Sequence, residues 1–420
     1  MRSFLPQITS HLRLGLRWPD GLRAMRHRNF RLFFFGQLVS LIGTWMQTTA
    51  QQWLVYRLTG SQLSLGAVTF ANFIPVLLLS LFMGVLVDRL PRRRLLLLTQ
   101  TCFMALAIIL ALLTYLERIQ YPHIIALAFL LGIANSLDMP ARQAFYIDLV
   151  EREELMNAIA LNSSVFNGAR VVGPALGGLI VAAMGEAPAF AINALTYLAV
   201  IGGLLLMRLP VPRRAATPGT GIGDLRRGLR YLISDSKVFG LVSMVALLSV
   251  VGYPFMVLMP AMARDVLGIG VGGFGGLMSA MGVGAFISAI SLAFWGDRQR
   301  KGRLLVMSRG LFSLALLGLG LSRSTPLSML MLAISGFAFI TQLAVTNTLI
   351  QLVVPDELRG RVMSTYTWAL GGFWPLGALM IGALGDKVGA GQAVLVSAGG
   401  CALLSLLGSL GFREIKEMSA

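Results

Sequence analysis

Apolar runs of about 20 residues recur along the whole chain, and short clusters of charged residues separate them. At ~1.5 Å per residue, a helix of that length crosses the ~30 Å hydrocarbon core of a bilayer. The pattern therefore predicts twelve membrane-spanning helices and an all-α membrane protein. The predicted spans lie roughly at residues 30–56, 64–87, 95–115, 122–145, 160–184, 188–207, 237–260, 272–295, 304–322, 326–350, 362–384 and 391–412.

Composition agrees with this pattern. Hydrophobic residues make up 56% of the 420 residues and charged residues only 13%, whereas a soluble domain carries about 25% charged residues. This excludes a soluble enzyme, a secreted disulfide scaffold and a disordered chain. Cys102 and Cys401 lie in separate apolar runs and the three histidines are scattered, so we expect neither a disulfide framework nor a metal site.

The net charge of +17 is distributed unevenly along the chain. If the N-terminus is cytoplasmic, only five of the 35 Lys and Arg residues fall in outer loops: Arg57, Arg118, Arg264, Arg323 and Lys387. The positive-inside rule then predicts a prokaryotic inner (plasma) membrane protein with both termini in the cytoplasm. We expect the basic loops to face anionic lipid. No nucleic-acid partner is expected, because the clusters are short and lack an aromatic stacking platform.

The chain divides into two halves. Residues 1–29 form a basic N-terminal segment, either an amphipathic helix on the inner leaflet or a disordered tail. Residues 30–207 are predicted to form a six-helix bundle, and 237–412 a second one. The linker, residues 208–236, is rich in Pro, Gly and Arg, and residues 413–420 are a cytoplasmic tail.

Short motifs repeat between these halves. Asp88 and Asp297 follow corresponding spans 209 residues apart, and the Glu-Leu pairs at Glu154 and Glu357 are 203 residues apart. Two loops that repeat at nearly one offset indicate a parallel duplication of a six-helix unit. This arrangement is typical of a transporter with its pathway between the halves.

The stretch from Gly84 to Arg94 contains Gly, Asp-Arg and a basic cluster, and it resembles the inter-helix motif of the major facilitator superfamily. Gly173-Pro174-Ala175-Leu176-Gly177-Gly178 resembles the Gly-Pro-x-x-Gly-Gly motif of proton-coupled exporters in that superfamily. Three further motifs are similar to the branch that holds enterobactin exporters and macrolide efflux proteins; they begin at Gly43, Asp138 and Glu154. The resemblance covers about residues 25–412 and implies the major facilitator fold, two pseudo-symmetric six-helix bundles.

Asp138 is the only carboxylate predicted to lie well inside a span. Arg142 follows it by four residues, and Arg170 is expected at a similar depth on the next helix. Two interpretations stay open. Asp138 can be a coupling or gating carboxylate whose protonation changes during transport, or it can form a static ion pair with either arginine.

The inter-helix motif has two interpretations as well. Asp88 can face Arg142 or the N-terminal end of the eleventh helix and hold the inner side shut, or the motif can be a plain topogenic turn. Gly84 is expected to let a neighbouring helix come close. The resemblance implies a conformational latch, whose candidate members are Gly84, Asp88, Arg89, Arg92, Asp297 and Arg298.

The glycines of the export-type motif, Gly173, Gly177 and Gly178, predict a smooth face for close helix contact across the domain interface. Pro174 is expected to bend the fifth helix. The resemblance adds that this bend seals the interface against leak. A packing face without directional meaning is the alternative.

Polar stripes in the first and tenth spans suggest a cavity lining. The resemblance places the first, fourth, seventh and tenth helices along the pathway. The candidates are Gln47, Gln51, Tyr253, Gln342, Asn347 and Trp368. Amides and aromatic rings with little fixed charge suit a bulky amphiphilic small molecule.

These patterns predict a secondary transporter rather than an enzyme, and we expect it to be a monomer. It would export an amphiphilic compound (a drug, siderophore or lipid-like metabolite) by proton antiport with alternating access. The sequence contains no phosphate-binding Gly-x-x-x-x-Gly-Lys loop, so ATP is not the expected energy source. We expect the proton gradient to drive transport, and we expect no cofactor. An importer or uniporter, a membrane-embedded enzyme, and a sensor are the alternatives.

Overall fold

The computed structural model describes residues 20–208, 230–295 and 300–411, and the described residues form twelve long helical segments without strands. The predicted all-α architecture is confirmed. The segments are α1 Arg28–Thr59, α2 Gln62–Arg89, α3 Arg92–Tyr115, α4 Tyr121–Leu149, α5 Leu155–Met184, α6 Glu186–Leu206, α7 Ser236–Val266, α8 Val271–Trp295, α9 Lys301–Leu321, α10 Thr325–Val353, α11 Asp356–Val388 and α12 Ala390–Gly411.

Eleven of these segments are long and apolar enough to cross a membrane. The remaining one is α1, whose stripe of Gln and Thr residues lowers its hydropathy. Neighbouring helices cover part of this stripe: α1 packs against α5 and α6. Its polar groups are therefore partly satisfied by protein, which a sequence window does not register.

The helices group into two bundles. In the first, α1 packs on α5 and α6, while α3 packs on α4 and α6; in the second, α9 packs on α10 and α12, while α7 packs on α11. The two bundles contact each other mainly through α2 with α11 and α5 with α8. The interface between the bundles is therefore formed mainly by these four helices.

Helix α7 is regular only over Ser236–Val251. Gly252 and Pro254 follow, and the chain continues as a 3₁₀ turn over Tyr253–Leu258 and a π turn over Met262–Val266. Proline removes a backbone donor and glycine weakens the helix, so the break has a local cause. It also places Tyr253 and Phe255 in the interior of the second bundle.

Several sequence expectations fall outside the described residues. These include the N-terminal residues 1–19, most of the 208–236 linker and the predicted tail 413–420. The latch candidates Asp297 and Arg298 lie outside the described residues too, as does the side chain of Asp88.

Candidate functional site

The two bundles are hydrogen-bonded to each other at the end that carries the α1–α2 and α11–α12 connections, here called the closed end. The Asp386 carboxylate, on α11, accepts hydrogen bonds from Ser61 Oγ at 2.6 Å, the Gln62 backbone N–H at 2.5 Å and the Leu63 backbone N–H at 3.2 Å. A carboxylate from one half thus caps the N-terminus of α2 in the other half. This position is favourable for a negative charge.

Two further contacts tie the halves together at the closed end. The Tyr56 hydroxyl donates a short hydrogen bond to the Asp265 carboxylate. The rings of Trp53 and Phe274 stack with their centroids 6.1 Å apart. Because each pair has one member in each half, opening of the closed end must break both contacts.

Asp138, only 2% exposed, forms an ion pair with Arg142. Arg142 Nε donates to Asp138 Oδ2 at 3.0 Å, and a terminal guanidinium nitrogen makes a shorter contact. The other carboxylate oxygen accepts from Thr99 Oγ1 at 2.6 Å and from Gln100 Nε2 at 3.0 Å. The carboxylate is therefore well satisfied in its charged form.

Arg142 also donates a short bond to the side-chain oxygen of Gln37 on α1. All of these partners belong to the first bundle. Rocking the two halves as rigid bodies would consequently leave the pair intact. A shift of α4 against α1 and α3 would carry Asp138 and Arg142 together and would separate the pair only from Gln37, Thr99 and Gln100.

Arg170 does not reach Asp138, so the sequence expectation that the two could pair is not met in this structure. Its guanidinium carbon lies 5.7 Å from the ring centroid of Trp45 on α1 and 5.7 Å from that of Phe339 on α10. Counting residues along a helix does not give the direction of its side chains. Arg170 faces the junction of the halves, whereas Asp138 faces the interior of the first bundle.

Three of the latch candidates, Gly84, Arg89 and Arg92, lie among the described residues. A side chain built at Gly84 would meet no atom within 4 Å, so the expected close helix approach is absent there. Arg92 donates to Asp148 at 2.8 Å and thereby joins α3 to α4. Arg89 is exposed at the end of α2. The described hydrogen bonds between the halves lie at the closed end, whereas Gly84, Arg89 and Arg92 lie at the opposite end of the transporter.

The glycines of the export-type motif divide between two partners. A Cβ on Gly173 would lie 2.8 Å from the Ile42 carbonyl, and one on Gly177 would lie 2.8 Å from the Met46 carbonyl, both on α1. Only Gly178 contacts the other half: its Cβ would lie 2.8 Å from the Val271 carbonyl. The expected contact across the interface is thus made by one glycine, while α5 continues through Pro174.

The predicted cavity-lining residues separate into buried and accessible groups. Tyr253 and Gln342 are each 1% exposed, so they lie inside the second bundle and line no open cavity here. Gln47 accepts a hydrogen bond from Asn193 of α6 at 2.7 Å. Gln51 and Asn347 are half-buried and Trp368 is half-exposed. Polar stripes alone did not distinguish helix packing from cavity lining.

A buried arginine in the second bundle escaped the sequence analysis. Arg309 is 6% exposed and interacts electrostatically with Tyr253, while Gln342 donates to the Ser308 carbonyl at 3.3 Å. The repeat could have revealed this cluster. Gln342 lies 204 residues after Asp138, close to the repeat offset, and Arg309 lies 209 after Gln100.

The connection between α4 and α5 binds the N-terminal segment. Arg26 Nε contacts the buried Glu154 carboxylate at 2.8 Å, and His27 makes a short contact with the same group. The backbone N–H of Ala24 donates to Asn157 Oδ1 at 2.9 Å. Part of the branch motif that begins at Glu154 therefore holds residues 20–27 against the bundle.

The chain matches the family described as transmembrane secretion effector over residues 20–419. It belongs to this family. The chain is also similar to the staphyloferrin A transporter of Staphylococcus aureus, with 27% identity over 86% of this chain and 90% of that protein. It is 27% identical to the enterobactin exporter EntS of Shigella flexneri over 93% of each chain.

A solved bacterial homologue of the lysosomal transporter Spinster, in an inward-facing and unoccupied conformation, has the same fold. Its TM-score is 0.74 at 14% identity, over 93% of this chain and 98% of that chain. The resemblance to the major facilitator superfamily and its exporter branch is confirmed. The protein is therefore a multi-pass membrane efflux transporter and not an enzyme.

Proposed function

We propose that the transporter exports an amphiphilic organic compound by proton antiport, with its halves opening alternately to each side of the membrane. The observation that carries the proposal is the set of hydrogen bonds between Asp386 and the start of α2. These hydrogen bonds join the two bundles and hold one end of the transporter closed. A relative motion of the bundles would therefore exchange access between the two ends.

The substrate class follows from the relatives and from the aromatic interior. One relative is named as a transporter of staphyloferrin A and another as an exporter of enterobactin. In this chain, Phe339 packs against Tyr253 with ring centroids 4.7 Å apart, and against Trp374 at 6.5 Å. Tyr253 is buried in this structure, so these rings would line a pathway only in another state of the transporter. Aromatic walls with few charges would favour a bulky amphiphilic compound over a sugar phosphate or a small ion.

Asp138 is the proposed coupling group. In this structure its carboxylate is paired with Arg142. Protonation would weaken the pair and release Arg142, whose side chain is 22% exposed. Because Asp138 and Arg142 both lie on α4, the pair would separate through a change of the Arg142 side chain, which also contacts Gln37 on α1. A static ion pair is the competing role.

Efflux from proteoliposomes tests both parts of this proposal. Purified protein is assayed against dyes, macrolides, siderophores and lipids, with and without a pH gradient and with an uncoupler. Asp138→Asn should abolish pH-driven efflux but keep counterflow, which moves no net proton. Asp148→Asn, the same change ten residues further along α4, is the matched control.

Other outcomes would contradict the proposal. Full pH-driven efflux by well-folded Asp138→Asn would exclude Asp138 as the coupling group. A static pair predicts loss of folding in Asp138→Asn and its recovery when Arg142→Gln is added, because the uncompensated charge is then removed. Efflux that ignores the uncoupler would favour a uniporter, and net uptake would indicate an importer.

We further propose that both termini are cytoplasmic and that the transporter works as a monomer in the inner membrane. On the side of the membrane that carries the N-terminus, the loops hold an excess of basic residues, and this excess supports the orientation. A reporter active only outside the cytoplasm, fused after Ala420, should stay silent. Its activity would overturn the orientation.

A further inference from the structure

Arg170 occupies the middle of α5, 15 residues from Leu155 and 14 from Met184. Each end of the helix is therefore about 20 Å away along its axis. The side chain is only 6% exposed. A cation held at this depth without a counter-charge costs several kcal/mol.

The guanidinium of Arg170 has aromatic neighbours but no acidic one. Among the described residues it makes no ion pair and no hydrogen bond to a carboxylate, and Asp138 is occupied by Arg142. Its neighbours are the rings of Trp45 and Phe339, each at 5.7 Å. Two cation–π contacts offset only part of the burial cost.

The two rings belong to different halves of the transporter. Trp45 is on α1 of the first bundle and Phe339 is on α10 of the second. The Arg170 carbonyl also lies against Gly282 of α8, at 2.6 Å from the Cβ that a side chain there would carry. The charge therefore stands where the two bundles meet, rather than in the interior of either one.

The aromatic surface around Arg170 extends toward an accessible face. Phe166, one turn before Arg170, packs edge-on against Trp45 with centroids 5.8 Å apart and is 44% exposed. Phe339 continues the surface to Trp374. A planar molecule reaching Phe166 would lie one helical turn from the guanidinium.

We propose that Arg170 is the binding residue for the acidic group of an aromatic organic anion, and that Trp45 and Phe339 contact its apolar body. A guanidinium presents paired N–H donors that match a carboxylate or sulfonate, and it stacks on aromatic rings. Binding would supply the counter-charge that the protein lacks at this point. This inference rests on the proposed function and narrows its amphiphilic substrate to aromatic anions.

A pair of fluorescent probes tests the inference without any gradient. 8-Anilinonaphthalene-1-sulfonate and N-phenyl-1-naphthylamine share one aromatic skeleton and differ in the sulfonate. Saturable energy transfer from tryptophan is measured with the full chain in phosphatidylcholine nanodiscs, after subtraction of empty nanodiscs. We expect the wild type to bind the sulfonate about tenfold more tightly, which corresponds to ~1.4 kcal/mol.

Arg170→Gln should remove that preference, with affinity for the neutral probe unchanged within about twofold. The matched control is Arg309→Gln, because Arg309 is equally buried at 6% exposure and lies away from the junction. It should keep the preference. No preference in the wild type, retention of the preference in Arg170→Gln, or equal loss in both variants would each overturn the inference.

If Arg170→Gln does not fold, Arg170→Lys replaces it. The lysine ammonium keeps the charge but lacks the paired donors of the guanidinium. The affinity for the sulfonate probe should therefore fall several-fold, while the affinity for the neutral probe stays the same. Unchanged affinity for both probes would overturn the inference. Equilibrium binding is independent of transport. A wild type that prefers the anion but exports nothing would contradict the proposed function alone, and efflux without an Arg170-dependent preference would contradict this inference alone.

Discussion

Asp386→Asn should loosen the closed end of the transporter. The carboxylate accepts three hydrogen bonds from the start of α2, at 2.6 Å from Ser61 Oγ and at 2.5 and 3.2 Å from two backbone N–H groups. Asparagine retains one acceptor oxygen, so at least one charge-assisted bond and the attraction to the helix N-terminus are lost. In a buried site this change would cost about 2–4 kcal/mol.

The magnitude has to be reduced because Asp386 is exposed. Water competes for the same groups, so we expect a loss of about 1–2 kcal/mol. At 1.4 kcal/mol per factor of ten, the population closed at this end should fall about 5- to 30-fold relative to the alternative. In a balanced equilibrium, about 3–17% of the molecules would then remain closed at this end.

The distance between halves reports this shift directly. Spin labels at Arg118 and Arg323, both exposed near the closed end, are introduced into a background without Cys102 and Cys401. Double electron–electron resonance should show a longer-distance population in Asp386→Asn. An unchanged distance distribution would refute the assigned role of Asp386.

The control for this experiment lies on the same helix. Asp356 is exposed and pairs with Arg359 within α11, so it joins no helix of the other half. Asp356→Asn makes the same chemical change at the other end of α11. It should leave the label distance as in the wild type, whereas a shift equal to that of Asp386→Asn would show a general effect of charge.

Two further predictions concern the N-terminal segment and the contact of Gly178 with the second bundle. Glu154→Gln should release the N-terminal segment and speed amide hydrogen exchange at Ala24 by tenfold or more, because Arg26 and His27 lose their shared buried carboxylate. The control, Glu151→Gln, should have little effect on this exchange. Equal exchange rates in both variants would contradict the role of Glu154. Gly178→Ala places a methyl group 2.8 Å from the Val271 carbonyl, so the Arg118–Arg323 label distance should lengthen. Gly168→Ala, where a Cβ meets nothing within 4 Å, should leave that distance unchanged.

The sequence by itself determined the class and the layout of the protein. Apolar run length fixes helices that cross a bilayer, because backbone polar groups in lipid must be satisfied within each segment. The offset between Asp88 and Asp297 indicates the duplication, and the spacing of Asp138 and Arg142 places them on one helix face. All of these inferences use neighbours along the chain or simple periodicity.

Only the tertiary structure decided which side chains meet across helices. Asp386 caps α2 from 325 residues away, and no local pattern marks a carboxylate for that contact. Arg170 could face Asp138 or the junction of the halves; helix rotation and packing against α8 and α1 put it between Trp45 and Phe339. Depth follows from counting residues, but direction depends on the packing of every neighbouring helix, so the closed end and the aromatic surface around Arg170 emerge only in three dimensions.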